Sequence, residues 1–336
     1  MKILITGGVG FIGTNCAIHF AKQKSQVVLI DNFSRRGVEK NAHFLTKSYP
    51  KNIKIIKCSA GNIKSYKNEL LSADAIIHLA GQTAVTTSIK NPEYDFENNL
   101  HDSFLLLNTV KNYCPHIPLL FASTNKVYGN LSKHQTILDK NLKQYIDVCH
   151  PQGIDETEPV DFISPYGCSK GATDLYFLDF ARIYNLKTVV FRQSCIYGPH
   201  QLGVEDQGWV AHFSKQIIRK QPITIFGDGY QVRDLLHVDD LIRAYDLAIK
   251  NINKVSGQAL NVGGGINNTF SLNQVITILE KKINNQIKIT YQPSRLGDQP
   301  YFVSANKKAK KLLNWKPLIC FEKGVDSLIK WQKNNL

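Results

Sequence analysis

"KILITGGVGFIG", Lys2 to Gly13, decides the fold. Lys2 to Thr6 is a short apolar, β-branched run of strand type, stopped by glycine. Gly7, Gly10 and Gly13 then recur every third residue, and an apolar helical pattern runs from about Phe11 to Lys24. In a strand-turn-helix unit the first glycine permits the tight turn, and the second lets backbone N–H groups approach a diphosphate. The third lets helix and strand pack closely, and the helix N-terminus adds partial positive charge.

Outward from this unit, short apolar runs alternate with helical patterns: "QVVLID" (26–31), "IKIIKC" (53–58), "DAIIHLA" (74–80), "IPLLFAS" (117–123) and "KTVVFRQS" (187–194). Continuously apolar strands alternating with helices predict an α/β fold, a doubly wound parallel sheet covered on both faces. The second half is less regular. "PITIFGDG" (222–229) reads as a strand, with helices from near Val238 and over 271–283. Together these predict a smaller lobe interleaved with the first: residues 1–192 and 230–262 in the large lobe, 193–229 and 263–336 in the small one. Residues 130–165 form a long polar connection, of a length that more often covers a substrate than merely joins two elements.

Asp31 ends the second strand about 20 residues after the glycines, the place of a ribose-binding acid in dinucleotide folds. A carboxylate there accepts bonds from both adenosine ribose hydroxyls and repels a 2′-phosphate, which favours NAD. Arg35 and Arg36 follow closely and are able to receive that phosphate, so NADP stays open.

Composition narrows the function classes. The chain has 336 residues, 43% of them hydrophobic, as in a packed globular protein. Its net charge is +14, but the basic residues are scattered, the densest cluster being "KKAK" at 307–310, and no nucleic-acid interface is expected. Seven cysteines form no CxxC pair, which argues against a disulfide framework or a zinc site and for a reducing cytosol; no metal is expected. No apolar run approaches the roughly 20 residues of a membrane span.

"SPYGCSKG" (164–171) places Tyr166 and Lys170 at i and i+4, on one helix face. A free tyrosine, with a pKa near ~10, is a poor base at neutral pH. An ammonium beside it, with the positive nicotinamide ring, stabilises the phenolate. Thr124 in "FASTNKVYG" (121–129) supplies a hydroxyl between the dinucleotide turn and this pair.

With these motifs the chain resembles the extended short-chain dehydrogenases/reductases that modify nucleotide sugars. The likeness runs from "TGGVGFIG" through Tyr166 and Lys170 to "GDGYQVRDLLHVDD" (227–240) and "NVGGG" (261–265). It implies a Rossmann lobe for NAD, a small lobe for a nucleotide diphospho-sugar, and a homodimer. Thr124, Tyr166 and Lys170 take the places of the family's catalytic residues. Along the cofactor the likeness sets Gly7, Gly10, Phe11, Ile12 and Gly13 at the first turn. Asp31, Asn32, Ser34 and Arg35 stand at the adenosine ribose, with Asn62 and Ile63 toward adenine. Leu79, Ala80, Gly81 and Gln82 form the fourth-strand turn, with Asn99 and Ser123 beside it. For the substrate it implies Gln82, Thr86, Thr124, Asn125, Lys126, Gln193 and Ser194, with Arg233 and Arg295 on the diphosphate; Thr87 is a further candidate.

"AGQTAVTTSIKNP" (80–92), "STNKVYG" (123–129), "SPYGCSKGA" (164–172) and "DQGWV" (206–210) are most similar to the branch inverting C2 of a CDP-linked hexose. Two departures stand out: Asn62 replaces the usual Asp of Gly-Asp-Ile, and Cys195 replaces an Asn near the diphosphate. A 4-epimerase of a UDP- or GDP-sugar uses the same Tyr, Thr and Lys. A 4,6-dehydratase needs Asp-Glu after the Thr, where this chain has Asn125 and Lys126. An NAD-binding protein without catalysis is the non-enzyme alternative.

Overall fold

The computed structural model describes residues 1–295 and 297–335. Seven strands form one parallel sheet in the spatial order Gln258–Val262, Thr188–Gln193, Leu119–Thr124, Ala75–His78, Lys2–Thr6, Gln26–Asp31, Ile53–Lys57. The central strands are buried along nearly their whole length, which is why they read as unbroken apolar runs. Strand order reverses between Lys2–Thr6 and Ala75–His78, and a crevice opens at such a reversal beyond the strands' carboxyl ends.

Two apolar cores hold the helices to the sheet. On one face Cys16, Ala17 and Phe20 of helix Phe11–Lys22 pack with Leu241, Ala244, Tyr245 and Ala248 of helix Val238–Lys250. On the other, Leu106, Leu107 and Val110 of helix Asp102–Tyr113 pack with Phe177 and Phe180 of helix Pro165–Tyr184. The doubly wound sheet expected from the alternating pattern is thus present.

The smaller lobe has its own core of Val210, Phe213, Leu235, Val275, Leu279, Phe321 and Leu328. Its strand Val232–His237 pairs parallel with Cys195–Tyr197 and Tyr301–Phe302, and antiparallel with Thr269–Ser271. Helix Val238–Lys250, which follows that strand, packs in the core of the seven-stranded sheet. The polar segment 130–165 carries an antiparallel hairpin, Thr136–Asp139 with Gln144–Asp147, leaning on the small lobe through Tyr145 N–H to Tyr230 C=O at 3.1 Å.

Candidate active site

A cavity of about 540 Å³ follows the carboxyl ends of the sheet, within the usual size range of a ligand site. Gly7, Gly10, Phe11, Ile12 and Gly13 line one end. Gly7 takes φ +67°, and a Cβ there would meet Ala80 N at 2.8 Å; a Cβ on Gly13 would meet Gly7 O at 2.4 Å. Helix Phe11–Lys22 begins at Gly10 with no side-chain cap and no acid in its first turn. Its unspent N–H groups and dipole therefore favour an anion in the cavity.

Asp31 lines the same end with Asn32, Ser34 and Arg35. Its Oδ2 accepts the Val9 N–H at 3.1 Å and its Oδ1 the Phe33 N–H at 2.9 Å, so the carboxylate is fixed at the strand end. Burial raises its pKa and these N–H groups oppose the rise. The Arg35 guanidinium donates to Gln207. Beyond Asp31 the cavity is walled by Cys58, Ser59, Ala60, Asn98 and Asp102. Asn62 and Ile63, expected here, form a short turn that does not line it, because Gly61 brings Asp102 to this wall instead.

Leu79, Ala80, Gly81, Gln82, Ser123, Thr124, Tyr166, Lys170, Gln193 and Ser194 line the remainder, as does Thr87. Thr86 does not; its hydroxyl is buried without a partner. Tyr166 and Lys170 stand in the first turns of helix Pro165–Tyr184, which Ser164 caps through the Gly167 N–H at 3.1 Å. Both side chains are buried. Burial pushes the Tyr166 phenol up to about 12, and the Thr124 hydroxyl opposes the rise. Burial pulls Lys170 down to about 7, opposed by the Asp174 and Asp95 carboxylates. The i, i+4 spacing suggested that Lys170 sets the Tyr166 pKa. In this arrangement Thr124 and Asp95 act on the phenol, while the Lys170 ammonium lies 4.1 Å above the Phe121 ring.

Sequence reasoning missed the carboxylates behind this pair. Asp95, fully buried, accepts from Ser169 Oγ at 2.5 Å, Asn99 Nδ2 at 2.9 Å and Gln82 Nε2 at 3.1 Å. Asn99 therefore sits behind the cavity wall as a support for Asp95 and Gly81 rather than in the wall. It lies in the π-helix Glu97–His101, a local widening common at functional sites. Asp174 takes two bonds from Arg192 at 3.0 Å each and one from Ser123 Oγ at 2.7 Å. The spacing Tyr166, Lys170, Asp174 is one helix face, and that was the available signal.

Toward the small lobe, Asn125 Nδ2 donates to Gln299 Oε1 at 3.2 Å, and Gln299 donates to the Gly129 carbonyl. Asp298 Oδ1 lies 2.6 Å from Arg233 and 3.5 Å from the Lys126 ammonium. Burial alone would raise Asp298, but Arg233 and Lys126 outweigh it and hold the acid below its usual range. Burial lowers Lys126 in turn, against Asp298. The fields of Lys126 and Arg233 reach Cys195, which lines the cavity, so the pair adjoins its far end. Arg295 is set apart: it bridges Glu205 and Asp206 at 3.1 Å each, with its guanidinium 3.8 Å over the Phe226 ring.

A strand-turn-helix anion cradle, a ribose-side acid and a Thr-Tyr-Lys group now share one cavity. A sequence profile described as "NAD dependent epimerase/dehydratase family" matches residues 3–263. The chain belongs to this family. The family's relatives include CDP-paratose 2-epimerase of Salmonella typhi, 40% identical over 98% of this chain and 99% of its own. The family's solved structures include UDP-glucose 4-epimerase of Thermotoga maritima with UDP-glucose, at TM-score 0.84 and 29% identity over 99% of both chains. UDP-glucuronic acid 4-epimerase of Bacillus cereus, in complex with UDP-glucuronic acid and NAD, superposes at TM-score 0.84 and 26% identity over 100% of both. The glycine cradle and Asp31 fit NAD, the cofactor of the family.

Proposed function

We propose that this protein is an NAD-dependent epimerase that inverts C2 of a CDP-linked hexose, of the CDP-paratose to CDP-tyvelose type. The observation that carries epimerisation over elimination is the turn after Thr124. Asn125 spends its amide on Gln299 and Lys126 faces Asp298, so no acid follows the threonine to remove a carbon-bound proton. The C2 position and the cytidine rest on the 40% identity to CDP-paratose 2-epimerase.

NAD, when bound, supplies the acceptor and then the donor of a hydride. First-turn N–H groups of helix Phe11–Lys22 hold its diphosphate, and Asp31 holds the adenosine ribose. At the other end Tyr166 takes the proton of the C2 hydroxyl as that carbon is oxidised, and returns it when the opposite face of the 2-keto sugar is reduced. Thr124 orients the reacting oxygen and brings the phenol toward its working range, and Lys170 holds the nicotinamide ribose. Arg233 and Lys126 exchange their contact with Asp298 for the substrate diphosphate. Arg295 serves the same diphosphate by leaving its acidic partners.

The homodimer finds support in the outer faces of helices Asp102–Tyr113 and Pro165–Tyr184, which expose Tyr113, Leu175, Tyr176, Ile183 and Tyr184. A cytoplasmic setting is supported by seven cysteines that are all free. Among the described residues no helix is long and apolar enough to cross a membrane. A place in O-antigen sugar synthesis follows from the proposed substrate.

The test is incubation with CDP-, UDP- and GDP-hexoses in deuterated water. We expect inversion at C2 of a CDP-sugar with no solvent deuterium at that carbon. Deuterium at C2 would mean enolisation, and inversion at C4 alone would replace the reading.

A further inference from the structure

The hairpin segment 130–165 carries a cluster that the proposed chemistry does not use. His134 stands just before its first strand, Asp147 ends its second, and His150 lies three residues on. Asp147 Oδ2 lies 2.9 Å from His134 Nδ1 and 3.2 Å from His150 Nδ1. Its other oxygen is spent on the N–H groups of Cys149 at 2.9 Å and His150 at 3.1 Å. On the far side of His134, Nε2 lies 3.1 Å from Glu158 Oε1. His134 and Asp147 are buried, whereas the His150 side chain keeps 35% of its exposure.

We propose that His134 Nδ1, Asp147 Oδ2 and His150 Nδ1 form a site for a divalent transition cation of the zinc class. Glu158 takes the Nε2–H of His134, as a carboxylate commonly does behind a metal-bound imidazole, and this leaves a lone pair on Nδ1. That lone pair and the Asp147 carboxylate oxygen then converge on one point, where a cation binds both. The three donor atoms lie within 4.8 Å of one another. Donors at zinc bond lengths stand about 3.3 Å apart in a tetrahedron, close to the two shorter separations here. Two imidazoles and one carboxylate suit zinc or cobalt and supply too few oxygens for calcium or magnesium.

Room for a water as fourth ligand lies alongside. A cavity of about 270 Å³ is lined by His134 and Asp147 together with Ser132 and Asp298. The two rings are stacked with centroids 4.2 Å apart and planes at 20°, which sets both Nδ1 atoms on the same side, toward Asp147. Cysteine spacing pointed away from any metal, because these donors are imidazoles and a carboxylate gathered by a hairpin. A metal here clamps the hairpin's open end. That hairpin rests on the small lobe through Tyr145 to Asp228 at 2.6 Å and Gln274 to the Leu142 carbonyl at 2.8 Å.

The experiment titrates Co²⁺ into the full chain, reading visible d–d absorption, with bound Zn²⁺ counted after dialysis. We expect one equivalent per chain, no thiolate charge-transfer band, and a melting temperature raised by a few degrees with Zn²⁺. His150→Gln, at a partly exposed position, and Asp147→Asn should each lose the d–d signal, while Cys149→Ser keeps it. Sub-stoichiometric binding, equal binding by His150→Gln, or loss in Cys149→Ser alone would overturn the site. A charge held there by a proton alone gives no d–d signal and overturns it as well.

Discussion

Tyr166 is the residue on which the proposed chemistry turns, and its surroundings give that reading a measurable form. A buried phenol pushed up to about 12 needs help to lose a proton near neutrality, and the Thr124 hydroxyl is the group that gives it. Tyr166→Phe removes the proton acceptor without changing shape. We expect kcat for sugar inversion to fall by about 10²–10⁴, the usual worth of a general base, with KM little changed. Thr124→Val should cost less than Tyr166→Phe and move the pH optimum upward, because the hydroxyl that favours the phenolate is gone. A full-rate Tyr166→Phe enzyme would remove the phenolate from the mechanism.

At the scale of elements, helix Pro165–Tyr184, which carries Tyr166 and Lys170, is tied to the sheet by charge as well as by packing. Asp174 on the helix and Arg192 on strand Thr188–Gln193 make a buried bidentate pair, and Asp174 also holds Ser123 on the neighbouring strand. Asp174→Ala leaves the guanidinium buried and uncompensated. The expected loss is about 3–5 kcal/mol of folding stability by chemical denaturation. Arg192→Met with Asp174→Leu should recover much of it, since an apolar pair does not carry the desolvation cost. Strand and helix positions were readable from periodicity because each strand is buried on both faces, and Asp31 was readable from its distance to the glycines. Asp95, Asp102 and Asp298 were not, since nothing in local spacing says which carboxylate a loop or π-turn will deliver behind a cavity wall. Thr86 and Asn62 show the converse, motif neighbours whose side chains miss the cavity.

The whole molecule adds two expectations. Lys170 is held at about 7, against ~10.4 in an unfolded chain, so between these values the unfolded state binds more protons. Stability of the cofactor-free protein should therefore rise with pH from about 7 toward ~10, with no Lys170 contribution to the slope below that window. Thermal unfolding of Lys170→Met should lack this rise; an identical slope would mean that burial does not perturb the lysine. For the proposed homodimer, the parent should scatter light as a dimer, and Ile183→Glu on the exposed helix face as a monomer. A dimer that persists in the variant would place the interface elsewhere.

The alternation of apolar strands and helices, the glycine turn and the spacing of Tyr166 to Lys170 follow from short-range rules, because they depend on residues within a few turns of one another. So the parallel sheet, the glycine turn and the shared helix face of Tyr166 and Lys170 were determined by the sequence alone, while the place of Thr124 beside them came from the resemblance. In "FASTNKVYG" the sequence also determined that no acid follows Thr124. Tertiary structure decided what surrounds these groups. It set Asp298 against Lys126 and Arg233, Asp95 and Asp174 beside Lys170, and two histidines on Asp147. These partners are separated by up to 172 positions in the chain, as Asp298 is from Lys126. Burial, which sets the proton affinities of Tyr166 and Lys170, exists only once the lobes and helices have closed over them.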